Sequence, residues 1–219
     1  MIQTVIFDMD GVIVDTEPIH EYAYRQHFAA LGIEIPTEMY ATFTGNSTKN
    51  IYERLKHQFE LSDDVQSLVN TKRLLFNDAF DSKLDLYLLD GVEDLIKDLH
   101  SSGMQLILAS SSAYVTIERI FKRFGLHQYF SHILSGEDFP QSKPHPAIFL
   151  QAASLAVGSK QNCIVIEDST NGIKAAKAAG IYCIAYDSVN SKLHDLSLAD
   201  SVIRHFDELN YLKIKAINP

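Results

Sequence analysis

The apolar positions of this chain follow two spacings. After a short run, Val5-Ile6-Phe7, apolar residues recur at helical intervals for some sixty residues. Residues 17–31 carry Ile19, Tyr22, Ala23, Phe28 and Leu31 on this spacing and stop at Gly32. Thr16-Glu17-Pro18 predicts the start of that helix: a hydroxyl cap, an acid, then proline in the first turn. A short helix is expected over 36–43, ending at Thr44-Gly45-Asn46. Ile51, Leu55 and Phe59 lie at i, i+4 and i+8 and predict a third helix over 48–60, capped by Ser47. Ser62-Asp63-Asp64 opens a fourth, over 63–80. No strand is expected in this stretch.

From residue 84 the pattern alternates. Helix 91–102 precedes strand 105–110, and helix 113–124 precedes strand 131–135. Helix 145–157 precedes strand 163–168, and helix 170–179 precedes strand 182–186. A short strand over 201–204 leads to a terminal helix near 207–214. Strands that are apolar throughout and separated by helices imply a parallel sheet covered on both faces. The opening run belongs to that sheet. The fold class is therefore α/β, with residues 1–15 and 84–219 as the core and 16–83 as an all-helical insertion after the first strand. The expected hinges are Asp15-Thr16 and residues 81–90.

Charge narrows the function classes. The net charge of -9 disfavours a general nucleic-acid binder, which needs a basic face. Two cysteines, Cys163 and Cys183, sit in apolar runs and read as buried thiols. Residues 1–14 lack the charged and apolar regions of a signal peptide, and no apolar run approaches the length of a membrane span. The cytoplasm is the expected compartment, and a monomer the expected state.

The polar residues at the strand ends carry the chemistry. In an open parallel sheet ligands bind beyond the carboxyl ends of the strands. The first strand ends in Asp8 and Asp10, two apart and so on one face, followed by Gly11. Alone, this is also a strand ending in an Asp-Gly turn. The next strand ends in Ser110-Ser111-Ser112, which could cap the following helix. A later one ends in Glu167-Asp168-Ser169, open to the same reading. Lys143 precedes Pro144 and could be one more solvated lysine. Together these groups point to phosphoryl transfer. Asp8, Asp168 and a turn carbonyl offer hard oxygens that suit Mg²⁺ with several waters kept. Lys143 adds a second positive charge. The Ser110 hydroxyl and nearby amides can donate to phosphate oxygens. A carboxylate nucleophile forms an acyl phosphate, while the other aspartate moves protons. For that task a raised pKa is expected at Asp10.

Four motifs resemble the haloacid dehalogenase superfamily: Phe7-Asp8-Met9-Asp10-Gly11-Val12, Leu108-Ala109-Ser110-Ser111-Ser112, Lys143-Pro144-His145-Pro146 and Ile166-Glu167-Asp168-Ser169. The run Asn171-Gly172-Ile173-Lys174-Ala175-Ala176 extends the likeness. The resemblance implies a Rossmann-like core with a helical cap after the first motif. It implies Asp8 as nucleophile and Asp10 as acid and base. Mg²⁺ would be held by Asp8, the Asp10 carbonyl and Asp168, with Glu167 nearby. Phosphate would be held by Ser110 and Lys143, with Gly11 and Ser111 beside it. Dehalogenase members lack the second aspartate and the metal, so Asp10 and Glu167-Asp168 argue against that reaction.

Within the superfamily the chain is similar to beta-phosphoglucomutases and their sugar-phosphatase relatives. Asp15-Thr16 and His20 fit the mutase pattern, in which this histidine and a cap lysine engage Asp10; Lys72 is the candidate lysine. His20 could equally be an exposed histidine in a first helical turn. The mutase arginine that grips a distal phosphate is absent. The loop Thr44-Gly45-Asn46-Ser47-Thr48-Lys49 has threonine there, with Lys49 at the next position. A lysine lacks the bidentate fork of arginine. The expected activity is a Mg²⁺-dependent phosphohydrolase of small phosphorylated metabolites, sugar phosphates above all. The alternatives are a phosphosugar mutase and a phospho-acceptor switch. The helical insertion disfavours the switch, because a lid suits controlled access.

Overall fold

The computed structural model describes residues 1–188 and 194–218. Residues 189–193 and 219, assigned above to the core segment, lie outside them. Among the described residues a six-stranded parallel sheet runs in the order β3-β2-β1-β4-β5-β6, formed by β1 (Thr4–Phe7), β2 (Gln105–Ser110), β3 (His132–Ser135), β4 (Cys163–Glu167), β5 (Tyr182–Tyr186) and β6 (Ser201–Ile203). Between strands lie α5 (Val92–Ser101), α6 (Tyr114–Phe124), α7 (Ala147–Ser154) and α8 (Thr170–Ala178), and α9 (Tyr211–Lys215) follows β6. Between β1 and α5 lie four helices: α1 (Glu17–Leu31), α2 (Thr37–Tyr40), α3 (Thr48–Gln58) and α4 (Val65–Ser82).

The unbroken apolar run of β1 follows from its place. It is flanked by β2 and β4 and covered on both faces, so all four of its residues are buried. Alternate side chains serve opposite faces. Val5 and Phe7 join a cluster with Leu106, Leu108, Ile164 and Ile166, beneath α5 and α6. Ile6 joins Ile107, Ala109, Val165, Ile148, Phe149 and Ile173, on the side of α7 and α8. Cys163 and Cys183 are buried free thiols, as expected.

The helical insertion has a core of its own around Tyr24, Phe28, Phe43, Ile51, Tyr52, Leu55, Leu68 and Val69. Its base shares the main core, where Ile19, Ala23, Phe76 and Phe80 pack. Elements match the sequence pattern within a few residues at each end. The exception is the second insertion helix, which is four residues long instead of eight. Pro36 precedes it, and the chain turns through residues 41–46 to bring Gly45 against the main sheet. No helix among the described residues is long and apolar enough to cross a membrane.

Candidate active site

The strand order turns back on itself between β1 and β4, which makes their carboxyl ends the switch point of the sheet. Asp8 follows β1 directly and its amide donates to the Ile166 carbonyl at 3.0 Å. This bond fixes the Asp8 backbone to β4. Gly11 then turns the chain at φ 82°. A Cβ there would lie 2.2 Å from Asp168 Oδ2, so only glycine lets the two loops approach. The Met9 carbonyl accepts from the amides of Ile13, at 2.8 Å, and Val14, at 3.2 Å, which closes the turn.

Lys143 is the hub of the cluster. It is 1% exposed, and its Nζ donates to Asp8 Oδ1 at 2.5 Å, to Glu167 Oε1 at 2.8 Å and to the Ala109 carbonyl at 3.0 Å. All three ammonium protons are thus used. Burial works against the Lys143 charge, but Asp8 and Glu167 hold its pKa above the usual lysine value. The Lys143–Pro144 peptide bond is cis. Glu167 spends its other oxygen on the amides of Asp168 and Ser169, each at 2.8 Å, and on the Ser169 hydroxyl at 3.0 Å. Both of its oxygens are engaged, so it stands behind the cluster and not among free metal ligands. The Ser169 hydroxyl also caps α8 by accepting from the Gly172 amide.

Asp8 and Asp168 both border the cavity above this cluster. Burial and the charges of Glu167 and Asp10 push the Asp8 pKa up to about 7, against the lowering effect of Lys143. Burial, Glu167 and Asp8 push Asp168 well above the carboxylate range. Asp168 Oδ2 is buried and has no hydrogen-bond partner. This orphaned oxygen, the excess of carboxylate charge and the glycine cradle fit a small hard cation. Among the described residues no three His, Cys, Asp or Glu side chains form a closed metal site. A cation here would rest on two carboxylates, backbone oxygen and water, as Mg²⁺ commonly does.

Asp10 differs from the expectation. Burial raises its pKa, but donors from His20, Thr16 and Ser112 outweigh burial and bring it to about 2. Thr16 Oγ1 donates to Oδ1, Ser112 Oγ donates to Oδ2 at 2.7 Å, and His20 Nε2 lies 3.4 Å from Oδ1. Thr16 sits at the N-cap of α1, yet its side chain makes no capping bond, because Asp10 takes it. Ser110 Oγ accepts from the Ser112 amide at 3.0 Å and lies 3.5 Å from Asp10 Oδ2. His20 and Lys72 do meet: Lys72 Nζ lies 2.6 Å from His20 Nδ1, 52 residues away in sequence. Lys72 is 2% exposed, and burial lowers its pKa to about 7. Its Nζ lies 4.4 Å from the Tyr24 ring centroid. Burial and the Lys72 charge lower the His20 pKa.

The insertion closes over these groups. Ser111 Oγ donates to the Gly45 carbonyl at 2.8 Å, and Asn171 Nδ2 to the Thr44 carbonyl at 2.8 Å. Asn50 Nδ2 donates to Ser142 Oγ, and Arg73 pairs with Glu137. A Cβ on Gly45 would lie 2.4 Å from Ser169 Oγ. A cavity of about 50 Å³ remains between insertion and sheet, bordered by Asp8, Asp10, Asp168, Thr44, Gly45 and Ser111, among others. Ser47 caps α3 by accepting from the Asn50 amide, as the sequence predicts. Lys49 lies beside the same His20, Ser111 and Ser112 from a second side. It borders an adjacent cavity of about 280 Å³ and lies 3.9 Å from Glu53, one turn along α3. Sequence reasoning passed over Ser112, which binds Asp10, and Glu17, which borders the smaller cavity. Glu17 was read as a helix-start acid; its i, i+3 spacing from His20 was the available signal.

Residues 5–186 match the family of haloacid dehalogenase-like hydrolases. The chain is 33% identical over 186 residues to "Putative phosphatase YhcW" of Bacillus subtilis, covering 84% of this chain and 83% of that protein. It is 30% identical over 182 residues to "Fructose-1-phosphate phosphatase YqaB" of Escherichia coli, covering 81% and 92%. A crystal structure of beta-phosphoglucomutase from Clostridium difficile superposes with a TM-score of 0.84 at 27% identity, covering 98% and 96%. The chain belongs to the haloacid dehalogenase-like hydrolases. Within that superfamily it falls in the subgroup of beta-phosphoglucomutases and sugar phosphatases.

Proposed function

We propose that this chain is a Mg²⁺-dependent phosphohydrolase of small phosphorylated sugars or polyols, working through an aspartyl phosphate on Asp8. The observation that carries the reading is the buried, unpartnered oxygen of Asp168 in a cluster where, among the described residues, Lys143 is the cation that pairs with the carboxylates. Asp8, Asp168 and the Asp10 carbonyl would hold the cation. When bound, it neutralises charge on the phosphate and on the carboxylates that face it. Glu167 acts as a positioning residue, holding Lys143 and the loop after β4.

In the first step an Asp8 oxygen bonds to phosphorus as the ester oxygen leaves with a proton from Asp10. In the second, water attacks phosphorus, Asp10 takes its proton, and the Asp8 carboxylate is released. The low pKa of Asp10 suits the second step. To act in the first it must exchange its bonds to Thr16 and Ser112, which, with His20 nearby, hold it as an anion. Lys143 keeps Asp8 oriented and offers positive charge to the arriving phosphate. Ser110 and Ser111 offer hydroxyl and amide donors for it. The orphaned oxygen is a metal argument, while the partner is a phosphate ester, with no role for nucleic acid or membrane.

The test is release of inorganic phosphate from p-nitrophenyl phosphate and a panel of sugar phosphates with Mg²⁺. Asp8→Asn is expected to lower kcat by about 10⁴-fold or more, because it removes the nucleophile. Turnover retained in that variant sinks the reading. The Lys72–His20–Asp10 chain favours a second reading, a phosphosugar mutase. In the same assay, with glucose 1-phosphate and a trace of bisphosphate, isomer without free phosphate would select it.

A further inference from the structure

Glu17 takes no part in the steps above. It enters the 50 Å³ cavity from the first turn of α1, beside Tyr24, Tyr40 and Phe43. Among the described residues no hydrogen bond or ion pair reaches its carboxyl group. Among the described residues the wall of this cavity contains no lysine or arginine; Lys49, Lys72 and Arg73 border the adjacent one.

A carboxyl group in a cavity that receives a phosphate ester needs a reason. Burial and the nearby Asp10 charge push its pKa up to about 8, and its oxygens stand in the cavity without a protein partner among the described residues, which is costly for a polar group. Glu17 cannot serve the phosphate end, which Asp8, Asp168 and Lys143 already define. It therefore faces the leaving group. A leaving group that brings only carbon leaves Glu17 unsatisfied. One that brings hydroxyl donors satisfies it. The aromatic faces of Tyr24, Tyr40 and Phe43 supply apolar surface for the carbon side of the same group, which matches the make-up of a pocket for a small polyol.

We propose that Glu17 is a specificity-determining residue that accepts hydrogen bonds from hydroxyls of the leaving alcohol. It selects polyhydroxylated monophosphates over alkyl phosphates of equal length. This rests on the phosphohydrolase reading and names the residue behind its preference for sugars and polyols. A polar site rejects an analogue that lacks its hydrogen-bond partner far more strongly than an apolar pocket rejects an extra methylene.

The experiment compares sorbitol 6-phosphate with n-hexyl phosphate, six carbons each, in the full chain with Mg²⁺. In the wild type kcat/KM is expected to favour sorbitol 6-phosphate at least tenfold. In Glu17→Ala that preference is expected to fall tenfold or more, through KM and not kcat. Glu17→Gln, which retains an acceptor, is expected to recover part of it. Equal kcat/KM for the two esters in the wild type overturns the inference while leaving the phosphohydrolase intact. So does a preference that survives within twofold in Glu17→Gln and in Glu17→Ala. Should Glu17→Ala fail to fold, the wild-type ratio and Glu17→Gln decide. No hydrolysis of either ester by the wild type, together with none of p-nitrophenyl phosphate, overturns the function itself and the inference with it.

Discussion

The two sides of the cavity are built on opposite rules. On the sheet side, the amino acids are spent on one another. Lys143 gives its three protons to Asp8, Glu167 and a carbonyl, and Glu167 gives both oxygens to Lys143 and to the next loop. On the insertion side, the helix bases pack into the main core, while the loops over the site meet the sheet through polar contacts such as Ser111 to the Gly45 carbonyl, Asn171 to the Thr44 carbonyl and the Arg73–Glu137 pair. There, among the described residues, no hydrogen bond or ion pair reaches the Glu17 carboxyl. The first arrangement fixes a reacting atom in place and tolerates no change. The second closes over many shapes and can be redrawn without loss of chemistry. On the proposed function, reaction and choice of substrate would thus be divided between rigid strand ends and a lid.

The strongest way to break that contrast is to remove the hub. Lys143→Met leaves Asp8 and Glu167 buried against each other with no cation. Breaking a buried ion pair in this way costs about 3–5 kcal/mol. Urea unfolding at pH 7 in EDTA should show a loss of that size. The loss should shrink as pH falls and the carboxylates take up protons in the variant. A Lys143→Met protein as stable as the wild type at pH 7 would mean that the cluster is not mutually compensated.

The same contrast explains what the sequence disclosed. Asp8, Asp10, Ser110, Lys143 and Asp168 were legible because each follows an apolar strand or precedes a proline, and a parallel sheet brings strand ends together by topology alone. The insertion was legible as four helices, since apolar spacing reports a buried face. Its contribution to the site was less so. His20 and Lys72 lie 52 residues apart on different helices, and only their packing around Phe76 and Tyr24 brings them into contact. Their pairing came from resemblance and not from spacing. Lys49 borders the second cavity, which it shares with His20, Ser111 and Ser112. Thr16 looked like a cap because cap and Asp10 partner use the same hydroxyl. The pKa of Asp10 was misjudged because its donors, apart from Ser112, come from a helix whose approach to β1 is a tertiary fact.

Lys72 offers a sharper test, because it is a buried cation on the side with fewer compensating charges. Its pKa is about 7 when folded and near the ordinary lysine value when unfolded. Between those values the unfolded chain binds more protons, so this group makes stability rise with pH; below pH 7 its full penalty is present. Lys72→Met removes that penalty. Relative to wild type, the variant should be more stable at pH 6 than at pH 9 by about 2–3 kcal/mol. Denaturant midpoints at the two pH values measure it. Parallel pH profiles for the two proteins would show that Lys72 is not held against its charge.

The smallest effect belongs to the lid contacts. Asn171 lies on α8 of the sheet domain and donates to the Thr44 and Thr42 carbonyls of the insertion loop, at 2.8 and 3.3 Å. Asn171→Ala removes both bonds but leaves the strand ends untouched. Its partners are carbonyls that water can reach when the lid opens, so stability should fall by only about 1 kcal/mol. The closed state loses a fastening, so KM should rise by roughly three- to tenfold while kcat stays within about twofold. Steady-state kinetics on one ester separates the two constants. If kcat falls as far as kcat/KM, the lid holds the reacting groups in register. The division between a side that reacts and a side that chooses would then run through the sheet, not between sheet and insertion.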